Sequence, residues 1–400
     1  MKILHVMGGQ EGYGVGRYVA EHSRAQARLG HSVHVLTAGG RTGDPERVND
    51  GVLWHAPQGK YPFFAYNDCL QTVLHNLPLA DRLRELVERE GPFDVVSAHG
   101  WKGVLAAGIG QRVFRCPLVV TLHGTQVGRM GGKGSREEIY VADMEKWACE
   151  RAERVVVPSR FVRREVQDRY GISEEKIALV PGGVGQETFE ARVDAGDFRE
   201  VFASPDERLV LLAGRLAHEK GPDLLLRSAQ HALKAAPNTR FILAGDGPMK
   251  ELVEGEIEKL GLGDRVRLTG LLGPTVMGAL YRVVDLVVVP SRYEAFGIGA
   301  LEAVAWGVPV LAANVGGLTE LAEKVGASVI HPVNPEEPVG FASAIVGALK
   351  AQGRRTDAPP RAYGQRGIPN ELTWREAATQ SIEVYEKARV ERECAAPCST

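Results

Sequence analysis

Residues 286–320, LVVVPSRYEAFGIGALEAVAWGVPVLAANVGGLTE, decide how the rest of the sequence is interpreted. The apolar run 286–289 ends at Pro290 and predicts a buried strand. Apolar residues then recur at helical spacing, and the run 308–312 predicts a second short strand. The stretch therefore predicts a unit of strand, loop, helix and strand.

Two carboxylates stand eight residues apart in this unit, Glu294 in the loop and Glu302 in the helix. The helix begins with Gly297, Ile298 and Gly299, which leave its first N–H groups and its positive dipole end open. Such a helix start suits a phosphate or a polyhydroxylated ring. The alternative is that both glutamates are solvated and that the glycines only permit close packing. The residues alone leave both interpretations open.

The whole arrangement resembles a known family. The segment from Glu294 to Glu302 reads E-A-F-G-I-G-A-L-E and is followed by G-V-P-V-L-A and V-G-G. This pattern resembles the donor-site signature of retaining GT-B glycosyltransferases of family four. Those enzymes transfer a sugar from a nucleotide donor. The resemblance implies that Glu302 holds the ribose hydroxyls and that Glu294 contacts the transferred sugar and its developing positive charge. It also places Phe296, Gly297 and Ile298 at the donor, the last two binding phosphate through backbone amides.

Length and composition indicate a globular enzyme of two domains. At 400 residues, the chain exceeds the usual size of one domain. It is 44% hydrophobic and 24% charged, with a formal net charge of -2. Because this charge offers no general attraction to nucleic acid, we expect no nucleic-acid partner, and any phosphate site must be local.

Cysteine usage and hydropathy favour a cytoplasmic protein. The odd number of scattered cysteines suits free thiols in a reducing compartment. These are Cys69, Cys116, Cys149, Cys394 and Cys398. No signal-like segment or membrane-length apolar run is apparent. The basic residues Arg160, Arg163 and Arg164 form either a solvated helix face or a weak docking surface for the inner face of a membrane. A homodimer also remains open.

Alternating strands and helices predict the α/β class, with two doubly wound parallel sheets in Rossmann-like domains facing across a cleft. The resemblance identifies this fold as GT-B. We expect an acceptor-side domain over 1–181, a nucleotide-sugar donor domain over 186–370, and a terminal helix within 371–400 that returns to the first domain. The predicted strands are 2–7, 32–37, 52–56, 94–98, 118–122, 155–157, 177–180, 209–213, 240–244, 266–269, 286–289, 308–312 and 328–330.

The glycines after the first predicted strand raise the question of dinucleotide binding. The loop 8–16 gives Gly-x-Gly-x-Gly from residue 12, without the Gly-x-Gly-x-x-Gly spacing that a dinucleotide site requires. The pattern therefore disfavours NAD, and no cofactor is expected besides the nucleoside diphosphate sugar itself. The resemblance instead places Gly8 and Gly9 next to a sugar diphosphate.

A second motif, G-R-L-A-H-E-K-G over 214–221, follows the first strand of the second half. Arg215 and Lys220 could both reach a diphosphate there, although surface cations are usually only solvated. The motif matches the family's G-R-L-x-x-x-K-G, which implies that the two cations clamp the donor pyrophosphate. The resemblance also places backbone contacts to the base at Gly270 and Leu271.

Two histidines stand at predicted strand ends in the first half. His123 lies in T-L-H-G-T and resembles the family's histidine beside the transferred sugar, while His99 lies in A-H-G-W and resembles a strand end near the acceptor. A lone histidine is more often structural, and the residues alone do not decide between the two roles.

The chain contains no Asp-x-Asp, so the metal-carboxylate device of GT-A enzymes is missing and no metal is expected. Together with this absence, the resemblance implies a retaining, metal-independent hexosyltransferase acting on a small-molecule, glycan or lipid-linked hydroxyl acceptor. Its rivals are a nucleotide-sugar epimerase of GT-B architecture and a non-catalytic nucleotide-sugar sensor. An epimerase would convert the donor without any acceptor.

Overall fold

The computed structural model describes residues 1–10, 14–39, 46–57, 68–131, 134–185, 195–326, 330–334, 337–351, 364 and 367–395. The chain forms two compact units, one of Met1–Gly182 with Trp374–Thr400 and one of Gly183–Thr373. Several predicted features lie outside the described residues: Gly12 of the glycine loop, residues 328 and 329 of the last strand, and Cys398.

The first unit alternates strands and helices along most of its length. Its elements up to the unit boundary are β1 (Lys2–Gln10), α1 (Val15–Arg28), β2 (Ser32–Gly39), β3 (Glu46–Asn49), β4 (Val52–His55), α2 (Asp68–Glu90), β5 (Val95–His99), α3 (Val104–Phe114), β6 (Leu118–Thr121), α4 (Gln126–Met130), α5 (Arg136–Arg151), β7 (Arg154–Val157), α6 (Arg160–Tyr170) and β8 (Ile177–Leu179).

Within the described residues, these strands form one sheet of eight in the order β3-β4-β2-β1-β5-β6-β7-β8. Every residue of β5 and β6 is buried, as expected of strands covered on both faces, and Ser97, His99 and Thr121 are the polar members of these mainly apolar strands. The strands pair in parallel except β3, which runs antiparallel to β4. Sequence analysis missed β3, although Asp50 and Gly51 form a turn with positive φ at both positions, the geometry of a tight hairpin.

The glycine loop predicted over 8–16 is only partly correct. Strand β1 continues through Gly8 and Gly9 to Gln10, with a register shift between Met7 and Gln10 where it pairs with β2. A Cβ at Gly8 would overlap the backbone of Lys102. The absence of a side chain at Gly8 is therefore explained by close packing against the segment after β5.

The second unit repeats the alternation. Its elements are α7 (Ala195–Glu200), β9 (Arg208–Ala213), α8 (Pro222–Ala235), β10 (Thr239–Ala244), α9 (Lys250–Lys259), β11 (Val266–Gly270), α10 (Pro274–Val283), β12 (Leu286–Val289), α11 (Ile298–Ala305), β13 (Val310–Ala313), α12 (Gly316–Val325), β14 (Ile330–Val333) and α13 (Pro338–Ala351). Among the described residues, the six strands form a parallel sheet in the order β11-β10-β9-β12-β13-β14.

Two hydrophobic cores cover the faces of this second sheet. Successive side chains of β9 alternate between them: Leu209 and Leu211 join the core under α10, α11 and α12, and Val210 and Leu212 join the core under α8, α9 and α13. Burial on both faces fixes the strand register, so the loops at the carboxyl ends of β9 and β12 have defined positions.

The last described helix, α14 (Trp374–Ala395), belongs to the first unit. It packs against α1 and buries Ser381, Tyr385 and Ala388. Across the part of the chain that the structure describes, no helix combines the length and apolar character that crossing a membrane requires.

Candidate active site

The loop 214–221 after β9 is bonded to the loop that leads from β12 to α11. The backbone N–H groups of Arg292 and Tyr293 donate to the carbonyl of Glu219 at 2.8 and 3.2 Å. Gly221 has φ 65°, and a Cβ there would overlap the carbonyl oxygen of Pro290. This close approach requires glycine and holds the two loops against each other.

Lys220 and Glu294, one from each loop, form an ion pair with Nζ 2.6 Å from Oε2. Both side chains are partly buried, with 29% and 14% of their side-chain surface exposed. Partial burial strengthens the attraction relative to a fully solvated pair. The structure therefore joins two residues that sequence analysis had assigned to different parts of the donor, the diphosphate and the sugar.

Arg215, the other predicted cation, is exposed. Its guanidinium has no hydrogen-bond or ion-pair partner among the described residues. All its donors are therefore available to a ligand, and a fork of this kind fits two oxygens of a phosphate group.

The N-terminus of α11 is not capped by any side chain. Gly297 is its N-cap with φ 102°, no side chain caps it, and no acidic residue occupies its first turn. A Cβ at Gly297 would come within 2.7 Å of Leu318, so glycine is required by both backbone angle and space. The first N–H groups, at Ile298 and Gly299, and the positive dipole end remain suited to an anion.

Glu302 is 4% exposed, so it does not lie on a solvated helix face. The hydroxyl of Tyr281, from α10, donates to its Oε2 at 3.3 Å. A buried carboxylate on a helix has few rotamers available and holds its oxygens in one position. Such a group can bind a pair of hydroxyls with precision.

The remaining predicted donor residues offer mainly backbone. The side chain of Phe296 is 7% exposed and belongs to the core of the second unit. Leu271, directly after β11, has an exposed side chain, and the preceding Gly270 has φ 68°. Gly9 lies in β1 of the first unit.

Sequence analysis missed two features that position Glu294. The N–H of Gly317, in the first turn of α12, donates to the Glu294 carbonyl at 2.8 Å. A Cβ at Gly317 would overlap the Ala295 carbonyl, so the V-G-G sequence permits this contact. The second feature is a bidentate pair in which Arg292 donates to both oxygens of Asp223 at 2.8 Å.

The pairing with Arg292 also changes the pKa of the Asp223 carboxyl. Burial alone would raise the pKa of Asp223, but the hydrogen bonds and charge of Arg292 lower it below its usual value. Arg292 also donates to the His218 carbonyl at 3.0 Å. The side chain of Arg292, which lies in the loop after β12, is therefore bonded both to the 214–221 loop and to α8. An Arg three residues after β12 was the available sequence signal.

In the first unit, His123 and His99 are hydrogen-bonded to each other. His123 Nε2 lies 3.1 Å from His99 Nδ1, and the rings stack with 18° between their planes. Tyr18 meets the His123 ring edge-on, with 4.5 Å between centroids. Desolvation by burial, with a smaller effect of Arg129, lowers the pKa of His123 to about 3, so the ring is neutral near pH 7.

The structure argues against a direct acceptor contact by His99. Its ring is 3% exposed, and its other nitrogen, Nε2, lies 2.8 Å from Nδ1 of His5. Both ring nitrogens are therefore engaged by protein groups. Its role is to hydrogen-bond the ring of His123.

No group of three or more His, Cys, Asp or Glu among the described residues is arranged to hold a metal ion.

Comparison with known proteins identifies the family of this chain. The family described as Glycosyltransferase Family 4 matches residues 13–187, and Glycosyl transferases group 1 matches residues 194–363. A D-inositol 3-phosphate glycosyltransferase of Xylanimonas cellulosilytica is 30% identical over 404 residues, covering 95% of this chain and 93% of the relative.

Solved structures share the fold. Sucrose-phosphate synthase from Thermosynechococcus elongatus aligns with a TM-score of 0.79 at 21% identity, covering 98% of this chain and all of that one. Anabaena HepE, solved with UDP and glucose, aligns with a TM-score of 0.73 at 20% identity, covering 97% of this chain and all of that one. The two parallel-sheet units are the Rossmann-like domains of the GT-B fold, and the chain belongs to the group 1 glycosyltransferases of family 4.

Proposed function

We propose that this glycosyltransferase is retaining and metal-independent and moves a hexosyl unit from a nucleoside diphosphate sugar to a hydroxyl acceptor. The observation that carries the proposal is the arrangement in the second unit. Lys220 and Glu294 form an ion pair between two loops that are hydrogen-bonded to each other. The loop 214–221 also carries the unpaired Arg215. The other loop leads into the uncapped start of α11 at Gly297.

The cations provide the leaving-group stabilisation. As the bond from sugar to diphosphate breaks, negative charge grows on the departing oxygen, and preorganised positive groups lower the barrier most when they face that charge. Arg215 supplies a fork of donors, Lys220 a point charge, and Gly297 and Ile298 backbone N–H groups.

The Lys220–Glu294 pair resolves an electrostatic conflict. A carboxylate next to the sugar favours the positive charge that develops on the anomeric centre but would repel the diphosphate attached to it. Because Lys220 neutralises Glu294 at 2.6 Å, the carboxylate can lie in the donor site without excluding the donor. Glu302, held by the Tyr281 hydroxyl, binds the ribose hydroxyls in this proposal.

The ionisation of His123 supports retention. An inverting transfer requires a general base opposite the leaving group, and His123 is the candidate in the sequence. A pKa of about 3 makes that imidazole a weak base near neutral pH. In the proposed mechanism the departing diphosphate oxygen accepts the acceptor's proton, so attack and departure occur on one face of the sugar and configuration is retained. His123 contacts hydroxyls of the transferred sugar.

The relatives suggest which substrates to test first. The HepE structure contains UDP and glucose, and the Xylanimonas relative is named for D-inositol 3-phosphate. We therefore propose UDP-hexoses as the first donors and a cyclitol phosphate as the first acceptor, with ADP- and GDP-hexoses as comparison donors.

The test measures nucleotide release from each donor with and without acceptor, followed by proton NMR of the first product. We expect acceptor-dependent release and a product that keeps the donor's anomeric coupling. Epimerised donor formed without acceptor would identify an epimerase instead, and binding without turnover of any donor would favour a sensor. An inverted product would overturn the retaining mechanism.

A further inference from the structure

A continuous chain of hydrogen-bonded side chains runs from the terminal helix α14 to His123. Gln26 Nε2 donates to Ser381 Oγ at 3.0 Å, and Gln26 Oε1 lies 2.7 Å from His5 Nε2. His5 Nδ1 lies 2.8 Å from His99 Nε2, and His99 Nδ1 lies 3.1 Å from His123 Nε2. The four residues behind His123 are at most 3% exposed, so water does not compete for these bonds.

Ser381 sets the direction of the hydrogen bonds in this chain. Its hydroxyl donates to the carbonyl of Ala378 at 2.8 Å, so its proton is already used and its oxygen can only accept. His22 Nε2, at 2.8 Å, and the Gln26 amide nitrogen both donate to that oxygen. The amide of Gln26 is thereby oriented with its oxygen towards His5.

The tautomers of the three histidines follow one from another. The Gln26 oxygen accepts only, so His5 Nε2 must carry a proton, and a neutral imidazole then has an unprotonated Nδ1. That nitrogen accepts from His99 Nε2–H, and the unprotonated His99 Nδ1 accepts from His123 Nε2–H. The last ring is left with an unprotonated Nδ1.

These tautomers require the three imidazole rings to be neutral. Desolvation by burial lowers the pKa of His5 to about 4 and holds the pKa of His99 well below its usual value. With His123 also neutral, each ring carries one proton, and the position of that proton is the only variable.

We propose that Ser381 and Gln26 are positioning residues that fix His123 as the Nε2–H tautomer, so that its Nδ1 acts as a hydrogen-bond acceptor for a hydroxyl of the bound sugar. His123 Nδ1 has no hydrogen-bond partner within the residues that the structure describes. An acceptor in this position selects ligand groups that can donate, such as sugar hydroxyls, and disfavours groups that only accept. The identity of the ligand rests on the proposed function, whereas the tautomer does not.

Reversing the donors and acceptors along this chain of hydrogen bonds would leave it with one bond fewer. It requires Gln26 to turn its nitrogen to His5 and Ser381 to donate to the amide oxygen, and Ser381 then loses its bond to the Ala378 carbonyl. Because Ser381 is only 1% exposed, water does not replace the lost bond.

The tautomers can be read directly without substrate. Nitrogen-15 NMR of the full chain labelled at histidine distinguishes protonated from unprotonated ring nitrogens, and the His123 signals are assigned by their disappearance in His123→Gln. We expect Nε2 of His123 to be protonated near neutral pH. A proton on Nδ1 would overturn the proposal on the unmutated protein alone.

Variants then test the role of Ser381. In Ser381→Ala we expect the His123 signals to show both tautomers and kcat to fall by about tenfold, while the affinity for UDP, bound by the second unit, is unchanged. Ser381→Thr, which keeps a hydroxyl, should restore both values. Thr379→Ala, on the same helix with its own bond to the Arg375 carbonyl, is the matched control and should change neither.

Unchanged tautomers in Ser381→Ala would show that Ser381 does not set the direction. If the protein releases no nucleotide from any donor, the proposed function fails while the tautomer measurement still decides this inference.

Discussion

Lys220 Nζ lies 2.6 Å from Glu294 Oε2, although 74 positions separate the two residues in the sequence. The pair joins the loop after β9 to the loop before α11. Backbone hydrogen bonds hold these two loops together. Glu294 is held through its carboxylate by Lys220 and through its carbonyl by Gly317. The charge balance of the proposed donor site therefore depends on both residues together.

Separate substitutions of the pair should have different effects on nucleotide binding. Lys220→Met removes a cation and leaves Glu294 uncompensated, so we expect UDP affinity to fall by about 1.5 to 3 kcal/mol, the usual range for a hydrogen bond to a charged group. Glu294→Gln should leave UDP affinity equal or higher and reduce turnover instead. Calorimetry and steady-state rates measure the two effects. Equal losses of UDP affinity in both variants would contradict the division of roles.

Glu302 should be specific for the ribose hydroxyls. We expect Glu302→Ala to weaken UDP binding by about 2 to 3 kcal/mol, because charge-assisted hydrogen bonds are lost. The control is the ligand: 2′,3′-dideoxy-UDP should bind the natural protein and the variant about equally. If the variant weakens both ligands alike while circular dichroism shows an intact fold, Glu302 has a structural role only.

Acid should destabilise the first unit through its buried histidines. The folded-state pKa values of His5 and His123 are lowered to about 4 and about 3, and that of His22 lies well below its usual value. Above pH 6.5 both folded and unfolded states are neutral at these rings, so their stabilising contribution is complete there. As pH falls from 6.5 towards 4, only the unfolded state gains protons, and stability decreases by about 1.4 kcal/mol per pH unit for each proton taken up.

Urea unfolding followed by circular dichroism between pH 4.5 and 8 measures this slope. The variant His22→Gln, which keeps a donor for Ser381 but cannot titrate, should reduce the slope by about one proton. A stability that is flat across the interval would show that the rings are charged or solvated in the folded protein.

Gly317 should be intolerant of a methyl group. A Cβ there would overlap the Ala295 carbonyl and approach the Cα of Phe296, so we expect Gly317→Ala to displace the Glu294 loop and lower kcat. Gly347→Ala is the matched control, since a Cβ at that helical position meets nothing within 4 Å and should stabilise by about 0.5 to 1 kcal/mol. Equal activity of the two variants would disprove the role of the close contact.

Chelation should leave the transfer unaffected. The prediction rests on the absence of Asp-x-Asp and on the cations Arg215 and Lys220 as the charges that face the diphosphate. Rates measured with EDTA and with added magnesium or manganese should agree. Loss of turnover in EDTA that a divalent metal restores would show that cations of the chain do not replace a metal.

The sequence was most informative where a structural feature is formed by contiguous residues. The strand β12, the uncapped start of α11 and the position of Glu302 in that helix could be predicted because strand ends, glycines and carboxylates lie within one short segment. At Gly8 the sequence was ambiguous, because a glycine required by the approach of another backbone, here Lys102, looks the same in sequence as one that admits a ligand.

Contacts between distant segments could not be predicted. His99 looked like an acceptor contact because it ends a strand, but its availability depends on His5, which projects from the neighbouring strand to the same face. Gln26 and Ser381 carry no motif, and their roles arise only from the packing of α14 on α1. The pairing of Lys220 with Glu294 likewise depends on loop contacts made after the sheet has formed.

The return of α14 to the first unit has a consequence for synthesis on the ribosome. His22 and Gln26 emerge early, yet their shared partner Ser381 is translated only after the entire second unit, Gly183–Thr373. The first unit therefore lacks the bonds of His22 and Gln26 to Ser381 during most of translation, whereas the second is contiguous in sequence and has all its described strands before α14 appears. Native structure in this chain should be completed at the amino-terminal half last, in the reverse of the order in which the residues leave the ribosome.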